Sequence, residues 1–536
     1  MAVFDKASLV MIPSQYKEGK IYNIKPEDQS SSFEFERGSA ATRVNSSGLI
    51  EQVGVGDIES VTNSDFNTTD NWVTGSTTSS FTVTNGIATI QGDANSFNTR
   101  IGQTLSLEAN KSYFIKVRIK SNDGNYWRIR GYDNISGYFD ITNGNNTEFN
   151  DITYVYNAPS GMNGAPILYI SSNFQNGTTD FSVDFASVKE INTDTPRLDY
   201  SGTEPALLLE PQRTNIITYS SDTNNWGWGS DSNPNNTTRD FGYSAPDGSN
   251  NATLFTRNLG TSGFPAWGNI PTNVNTDFTY SIFVKKGTSD TIELFNVSTS
   301  PQSKVIYNFN TNTFTTELNA TGKSVAYSDG WYRISMTYAN GSATVSQIRN
   351  IFEDGKSVYL FGAQAEQGSY ATSYIPTNGQ TETRLADVCY GGGDASVFND
   401  SEGTLYLELK YPELDYLSGF ITISDGTTTD RIVLYMNQQG YKFYIQELGN
   451  IITDGSIDVS QYFKVAVKYK SGDNAMFING SKVGTTNTST LSSISGLDRI
   501  EFQNPDGAEK MKGNIKALHY FPEALTDTEL QQLTTI

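Results

Sequence analysis

Apolar and polar residues alternate with period two along most of the chain. Lys111-Ser-Tyr-Phe-Ile-Lys-Val-Arg-Ile-Lys120 shows the pattern, as do Phe278-Thr-Tyr-Ser-Ile-Phe-Val-Lys-Lys286 and Thr404-Leu-Tyr-Leu-Glu-Leu-Lys-Tyr411. Each run is bounded by Gly, Asn, Asp or Ser, so each predicts a half-buried strand between turns. Helical spacing is nearly absent. The exception is Thr526-Asp-Thr-Glu-Leu-Gln-Gln-Leu533, where Thr526 can cap a helix and Glu529 stands three residues on, as in a capping box. The expectation is an all-β, multi-domain chain of tandem antiparallel β-sandwiches with little helix, each sheet keeping one wet face.

Two stretches look like copies of one unit. Asn63-Ser-Asp-Phe-Asn-Thr-Thr-Asp-Asn-Trp72 opens the first, and Tyr219-Ser-Ser-Asp-Thr-Asn-Asn-Trp226 opens the second. Phe181-Ser-Val-Asp-Phe-Ala-Ser-Val188 closes the first and Val358-Tyr-Leu-Phe-Gly-Ala-Gln-Ala-Glu-Gln-Gly-Ser369 the second. A connector with an Arg-Leu step follows each, Pro196-Arg-Leu-Asp-Tyr200 and Thr383-Arg-Leu-Ala-Asp387, and Gly391-Gly-Gly393 marks the expected hinge.

With 536 residues the chain is too long for one core, which fits several sandwiches in series. A net charge of −21 argues against nucleic-acid and anionic-membrane partners. One histidine (His519) and one cysteine (Cys389) exclude a His/Cys zinc cluster, a disulfide within the chain and most nucleophile–histidine schemes. Cys389 is expected as a small buried hydrophobe or a bystander, and His519 is expected to pack in a strand. Met1-Ala-Val-Phe-Asp-Lys6 has no basic-then-apolar leader, so manufacture in a cytoplasm is expected.

Several blocks resemble phage fibre proteins. Ser8-Leu-Val-Met-Ile-Pro-Ser-Gln-Tyr-Lys-Glu-Gly-Lys20 with Phe35-Glu-Arg-Gly-Ser-Ala-Ala-Thr-Arg-Val-Asn-Ser-Ser-Gly-Leu-Ile-Glu51 resembles their N-terminal module. Pro196–Tyr200 and Leu207-Leu-Leu-Glu-Pro-Gln-Arg-Thr-Asn215 resemble the same family. Gly362-Ala-Gln-Ala-Glu-Gln-Gly-Ser-Tyr-Ala-Thr-Ser-Tyr-Ile-Pro-Thr377 is similar to the end of its carbohydrate-binding-like jelly rolls. Met476-Phe-Ile-Asn-Gly480, Lys512-Gly-Asn-Ile-Lys516 and Ala524-Leu-Thr-Asp-Thr-Glu-Leu530 resemble a concanavalin A-like (laminin G-like) lectin sandwich.

The resemblance implies a head or tail fibre or spike of a tailed phage, assembled in the host cytoplasm and carried on the virion surface, commonly as a homotrimer. The implied division is an attachment segment over 1–60, a jelly roll over 61–192, a connector over 193–216, a second jelly roll over 217–378, a hinge over 379–401 and a lectin domain over 402–536. Segment 1–60 would meet other virion proteins, and the sandwich faces would meet host-surface or environmental glycans. The alternatives are a polysaccharide depolymerase tailspike and a structural decoration that recognises no sugar.

Sugar binding on a sandwich uses aromatic faces flanked by Asn, Asp and Gln. Trp72, Trp226 and Trp331 are expected in cores. Trp127, Trp228 and Trp267 are the ligand candidates, with subunit packing an equal alternative for all three: Trp228 and Trp267 stand in Gly-rich loops, and Trp127 alternates with two arginines. A structural calcium would use Asp65 and Asp184, on the opening and closing strands of the first jelly roll. Glu34 and Glu36 share a strand face at a spacing a glycosidase could use, but alternation with Phe33 and Phe35 favours an ordinary solvated face. Glu408 with Glu413 or Asp415 matches no lectin-fold glycosidase pattern. No catalytic residue is therefore expected.

Overall fold

The computed structural model describes residues 3–93, 96–173, 178–202, 204–223, 226, 237–260, 265–273, 276–299, 301–339, 345–412, 418–437, 440–445, 449–454, 457–491 and 494–536. Strand makes up 53% and helix 3%, so the chain is all-β and multi-domain. The helix Asp527–Thr534 forms where its capping signal stands, with Thr526 accepting from the Glu529 amide and Glu529 reaching back to the Thr526 amide. No helix among the described residues is long and apolar enough to cross a membrane.

The first sandwich has one sheet in the order Asn150–Asn157, Ser112–Ser121, Thr178–Ile191, Ile87–Asp93, Thr78–Thr84, with Val55–Glu59 also joining Thr178–Ile191. Its facing sheet runs Gly137–Gly144, Trp127–Asp133, Ile167–Ser172, Arg100–Thr104, Val73–Thr74. Period-two patterning decides the facing: along Ser112–Ser121 every second residue, Tyr113 to Ile119, is buried, while Lys116 and Arg118 stay half-buried on the other side.

The second sandwich repeats that plan. Its first sheet runs Trp331–Ala339, Asp277–Lys286, Ser357–Gln367, Ala252–Arg257, Thr237–Tyr243, and the facing one Ser303–Asn308, Thr291–Asn296, Val345–Phe352, Ala266–Pro271. In both, the closing strand lies mid-sheet beside the long ten-residue strand, with a bulge between them, at Arg118/Ile119 and at Ser281/Phe283. Thr313–Leu318 and Thr321–Ala326 are additions at the edges of the second copy. Trp72 and Trp226 also play equivalent parts. Each is buried, stacks on a phenylalanine (Phe66, Phe255) and donates its indole N–H to a backbone carbonyl of its opening motif (Asn63, Tyr219).

A third sandwich holds the C-terminal residues, but not alone. Its larger sheet runs Leu198–Asp199, Ala206–Leu209, Gly513–Phe521, Glu402–Lys410, Phe463–Lys470, Asn474–Ile478, Ser481–Asn487, and Leu9–Met11 pairs with Gly513–Phe521. Segment 1–60 and the first connector thus supply strands to this unit. Leu9, Met11, Phe33, Phe35, Leu207 and Leu209 belong to the same buried cluster as Leu407, Ile423 and Phe443. The expected hinge is likewise built in. Val388–Tyr390 pairs with Phe33–Glu36, and Gly392 exchanges both backbone hydrogen bonds with Ile500, at 3.0 and 2.7 Å. Phe33 explains the glycine there, since a Cβ on Gly392 would lie 2.4 Å from its ring.

The segments meet at a buried ionic hub. Arg197 and Arg384, the arginines of the two Arg-Leu steps, converge with Arg37 on Glu210 and Asp387. Arg197 reaches Glu210 at 2.7 Å and also pairs with Asp387, Arg37 reaches Asp387 at 3.2 Å, and Arg384 reaches Glu210 at 3.3 Å. Ser373 donates to Glu210 through both its amide and its hydroxyl, at 2.8 and 2.7 Å. Burial by itself would raise the Glu210 carboxyl, but the Arg384 and Arg197 guanidiniums and the Ser373 hydroxyl hold it well below the usual carboxylate range. Burial pushes Arg37 down to about 10, against the pull of Asp387.

Two predictions follow from these buried charges. Removing one partner of a buried pair leaves the others uncompensated, so Glu210→Gln is expected to lower unfolding free energy by about 3–5 kcal/mol in urea titrations. Because the folded carboxyl is depressed, its contribution is present above the unfolded pKa of about 4.3 and lost as pH falls below it, and the variant's stability should be flatter there. His519 behaves differently. It is packed against Phe4 and Tyr406, its Nδ1 has no partner, and burial lowers it to about 4. Unfolded chains take up that proton below about pH 6.5 and folded ones do not, so stability should fall as pH drops from about 6.5 towards 4, by roughly 3 kcal/mol in all. His519→Phe should remove most of the slope between about pH 6.5 and 5, above the ordinary carboxylate range.

Candidate ligand-binding cleft

Where the first and second sandwiches meet, polar residues of both line a narrow cleft. The first contributes the end of Gly137–Gly144, the turn after it and the start of Asn150–Asn157, namely Thr142, Asn143, Asn146 and Asn150. The second contributes Ser221, Asp222 and Thr223 from its opening motif, with Asn250, Asn251 and Asn378. Thr142 donates to Asp222 at 3.3 Å, and Asn250 donates to the Phe149 carbonyl at 3.4 Å, tying the walls together. Behind the second wall, burial lowers the Arg239 guanidinium to about 10, and it donates to the Thr223 and Trp226 carbonyls.

Trp127 also lines this cleft. It starts the strand Trp127–Asp133 and pairs with Gly144, whose missing side chain leaves room for the ring: a Cβ there would lie 2.8 Å from Trp127 Cζ2 and 3.1 Å from Asn146 Oδ1. Its indole Nε1, a donor, and Asn150 Oδ1, an acceptor, are buried with no hydrogen-bond partner among the described residues. Such groups are commonly matched in folded proteins, and each unmatched one costs about 1–3 kcal/mol. The enclosed space is ≈ 50 Å³, room for about three to five waters or the hydroxyl-bearing edge of a ring. Among the lining residues only Asp222 is ionisable. The cleft is suited to exchanging neutral hydrogen bonds, and it brings together no acid–base pair.

The other candidate residues lie elsewhere. Trp127 itself, expected to face outward, is 1% exposed: the strand register turns Trp127, Ile129 and Gly131 to the inside and the arginines out. Trp228 lies outside the described residues. Trp267 sits in the edge strand Ala266–Pro271 opposite Ile348, with its side chain outside the described part. Trp72, Trp226 and Trp331 are buried, as expected.

The Ala186 amide donates to the Ser64 carbonyl and draws the opening and closing segments of the first sandwich together, but Asp65 is exposed and Asp184 faces Arg118 at 3.3 Å. An arginine thus stands where the calcium expectation needs a cation. Among the described residues no group of three or more His, Cys, Asp or Glu is placed to hold a metal. Glu34 pairs with Lys20 at 3.0 Å and Glu36 accepts from the Tyr390 hydroxyl, on a strand whose other face buries Phe33 and Phe35. Glu408 lies 3.7 Å from Lys516, while Glu413 and Asp415 lie outside the described residues. Cys389 and His519 are buried strand residues.

No protein-family model and no curated protein matches the chain. Among solved structures, the CBM40 of the Ruminococcus gnavus IT-sialidase bound to alpha2,3 sialyllactose covers 27% of this chain and 94% of its own, at 18% identity and a TM-score of 0.23. The CBM22-1–CBM22-2 tandem of Paenibacillus barcinonensis Xyn10C covers 59% of this chain and 99% of its own, at 11% identity and a TM-score of 0.23. A CBM4 structure covers 26% and 97%, at 17% identity and a TM-score of 0.20. Scores of this size assign no residue roles.

Gly144 gives the cleft its depth, so it is the position to fill. Gly144→Ala is expected to displace the Trp127 ring, lowering thermal stability by about 1–3 kcal/mol and shifting tryptophan emission.

Proposed function

We propose that the chain is a non-catalytic adhesive protein that binds neutral glycans reversibly in the cleft between its two repeated sandwiches, as a surface fibre or spike of a tailed phage. The observation that carries the glycan part is the pair of buried, unmatched groups, Trp127 Nε1 and Asn150 Oδ1, in a cleft of asparagines and hydroxyls. A sugar hydroxyl is both donor and acceptor, so one hydroxyl can satisfy either group, and neighbouring hydroxyls can satisfy both. Weak binding is what a shallow cleft of this size gives, and several copies on one particle raise effective affinity by about 10²–10⁴.

The virion placement is supported by the sequence blocks that resemble phage fibres, and homotrimerisation rests on the same resemblance. The mechanism breaks no bond. The third sandwich, joined to segment 1–60 through one core, would act as a rigid mount.

The test is a glycan array followed by titration of the best neutral hit. Trp127→Phe keeps an aromatic ring but removes the donor, and Asn150→Ala removes the acceptor. Each is expected to weaken binding by about 10-fold, in line with one buried hydrogen bond. Array silence, unchanged affinity in both variants, or new reducing ends released from host polysaccharide would refute the proposal. Light scattering that gives a monomer at physiological salt would remove the trimer.

A further inference from the structure

A second cavity, separate from the cleft, lies where segment 1–60, the second sandwich and the third sandwich meet. It encloses ≈ 260 Å³, just under the roughly 300 Å³ at which pockets for drug-sized ligands begin, so it suits one small ring. Its walls combine tyrosines, aliphatic residues and hydroxyls with four cations: Arg43, Lys323, Arg333 and Lys410.

Two of these cations, Arg333 and Lys410, have no carboxylate partner among the described residues. The two acids lining it are both engaged. Glu210 is held by the hub arginines, and Asp199 accepts from the Val44 amide and from Ser201. Arg43 is matched by Glu51 at 2.8 Å. Arg333 is matched by no carboxylate among the described residues. It is 7% exposed, donates to the Thr372 carbonyl and, at 2.9 Å, to Ser281 Oγ, shares a hydrogen bond with the Tyr327 hydroxyl, and its Nε has no partner among the described residues. Its guanidinium lies 5.2 Å from the Phe283 ring centre, and the Tyr327 hydroxyl adjoins it. Lys410 makes no salt bridge among the described residues, with Asp199 acting on it only at longer range, and it sits 4.9 Å over the Tyr462 ring. Tyr370, 5% exposed, adds a buried hydroxyl with no partner. A guanidinium buried without a counter-ion is unfavourable by several kcal/mol unless something anionic completes it.

We infer that this cavity binds the carboxylate of an acidic sugar, with Arg333 as its principal counter-charge, Tyr370 as a hydroxyl donor and Lys410 as a second cation. A carboxylate matches the planar guanidinium better than other small anions do, through charge-assisted hydrogen bonds. The tyrosine faces and the Thr42 and Ser335 hydroxyls provide for a ring carrying hydroxyls, beyond what a bare anion would use. This site is independent of the neutral cleft, and neither depends on the other being occupied.

The experiment is isothermal titration of the full chain with D-glucuronate and with its neutral methyl ester. Glucuronate should bind at least about 10-fold more tightly than the ester. Arg333→Gln should remove that preference, Tyr370→Phe and Lys410→Ala should each reduce glucuronate affinity by about 3- to 10-fold, and Asn150→Ala in the cleft should leave it unchanged. If Arg333→Gln does not fold, Tyr370→Phe and Lys410→Ala decide. Equal binding of acid and ester, acetate or triglycine binding as tightly as glucuronate, or affinity unchanged in the cavity variants would overturn the assignment.

Discussion

Five buried charges hold the architecture together. Arg37, Arg197 and Arg384 come from three places far apart in the chain, and each must find Glu210 or Asp387 to justify leaving water. Burying an ionised side chain unpaired costs several kcal/mol, so five such groups meeting at one place strongly favour a single arrangement. That arrangement places both connectors and the stretch after Phe33–Glu36 beside the Ser373 loop. That loop is itself tied back by Glu366, which accepts from Thr372 through amide and hydroxyl, and by Gln364, which accepts from the Ile375 amide. Gln364, Glu366, Thr372 and Thr377 are therefore fasteners, and all four are buried.

The protein keeps cavities where its units meet. The partly polar surfaces of the two sandwiches built on one plan do not close fully on each other. What stays between the two copies is the asparagine-lined cleft. What stays between the second copy, segment 1–60 and the third sandwich is the cationic cavity. Each contains buried polar atoms without protein partners, Trp127 Nε1 and Asn150 Oδ1 in the first, Arg333 Nε and the Tyr370 hydroxyl in the second. Core packing alone would select against such atoms.

The cleft was partly legible in the amino-acid sequence. Trp127 stood out as an aromatic in a polar setting, but its direction did not, because one residue of register separates an outward indole from a buried one. Ser221, Asp222 and Thr223 lie inside the recognisable opening motif of the second copy. The asparagines at 143, 146, 250 and 251 look like turn formers, and nothing local distinguishes a turn asparagine from one lining a cleft. Arg333 was hidden for another reason. It sits in an ordinary alternating strand, and a missing counter-charge can be seen only when every neighbour in space is known.

Local chemistry by itself determined most of the strands, the capped C-terminal helix and the duplication, since period-two alternation, turn residues and a capping box act over a few residues. The third sandwich was legible only as its C-terminal half. Its other strands, Leu9–Met11 and Ala206–Leu209, lie about three hundred residues or more away in sequence from the strand Gly513–Phe521 they join. Their apolar faces announced a need for cover without saying what would cover them. Only the folded chain answered that, because backbone pairing is chemically the same for every strand, and the partner is chosen by which buried faces and buried charges can be satisfied together.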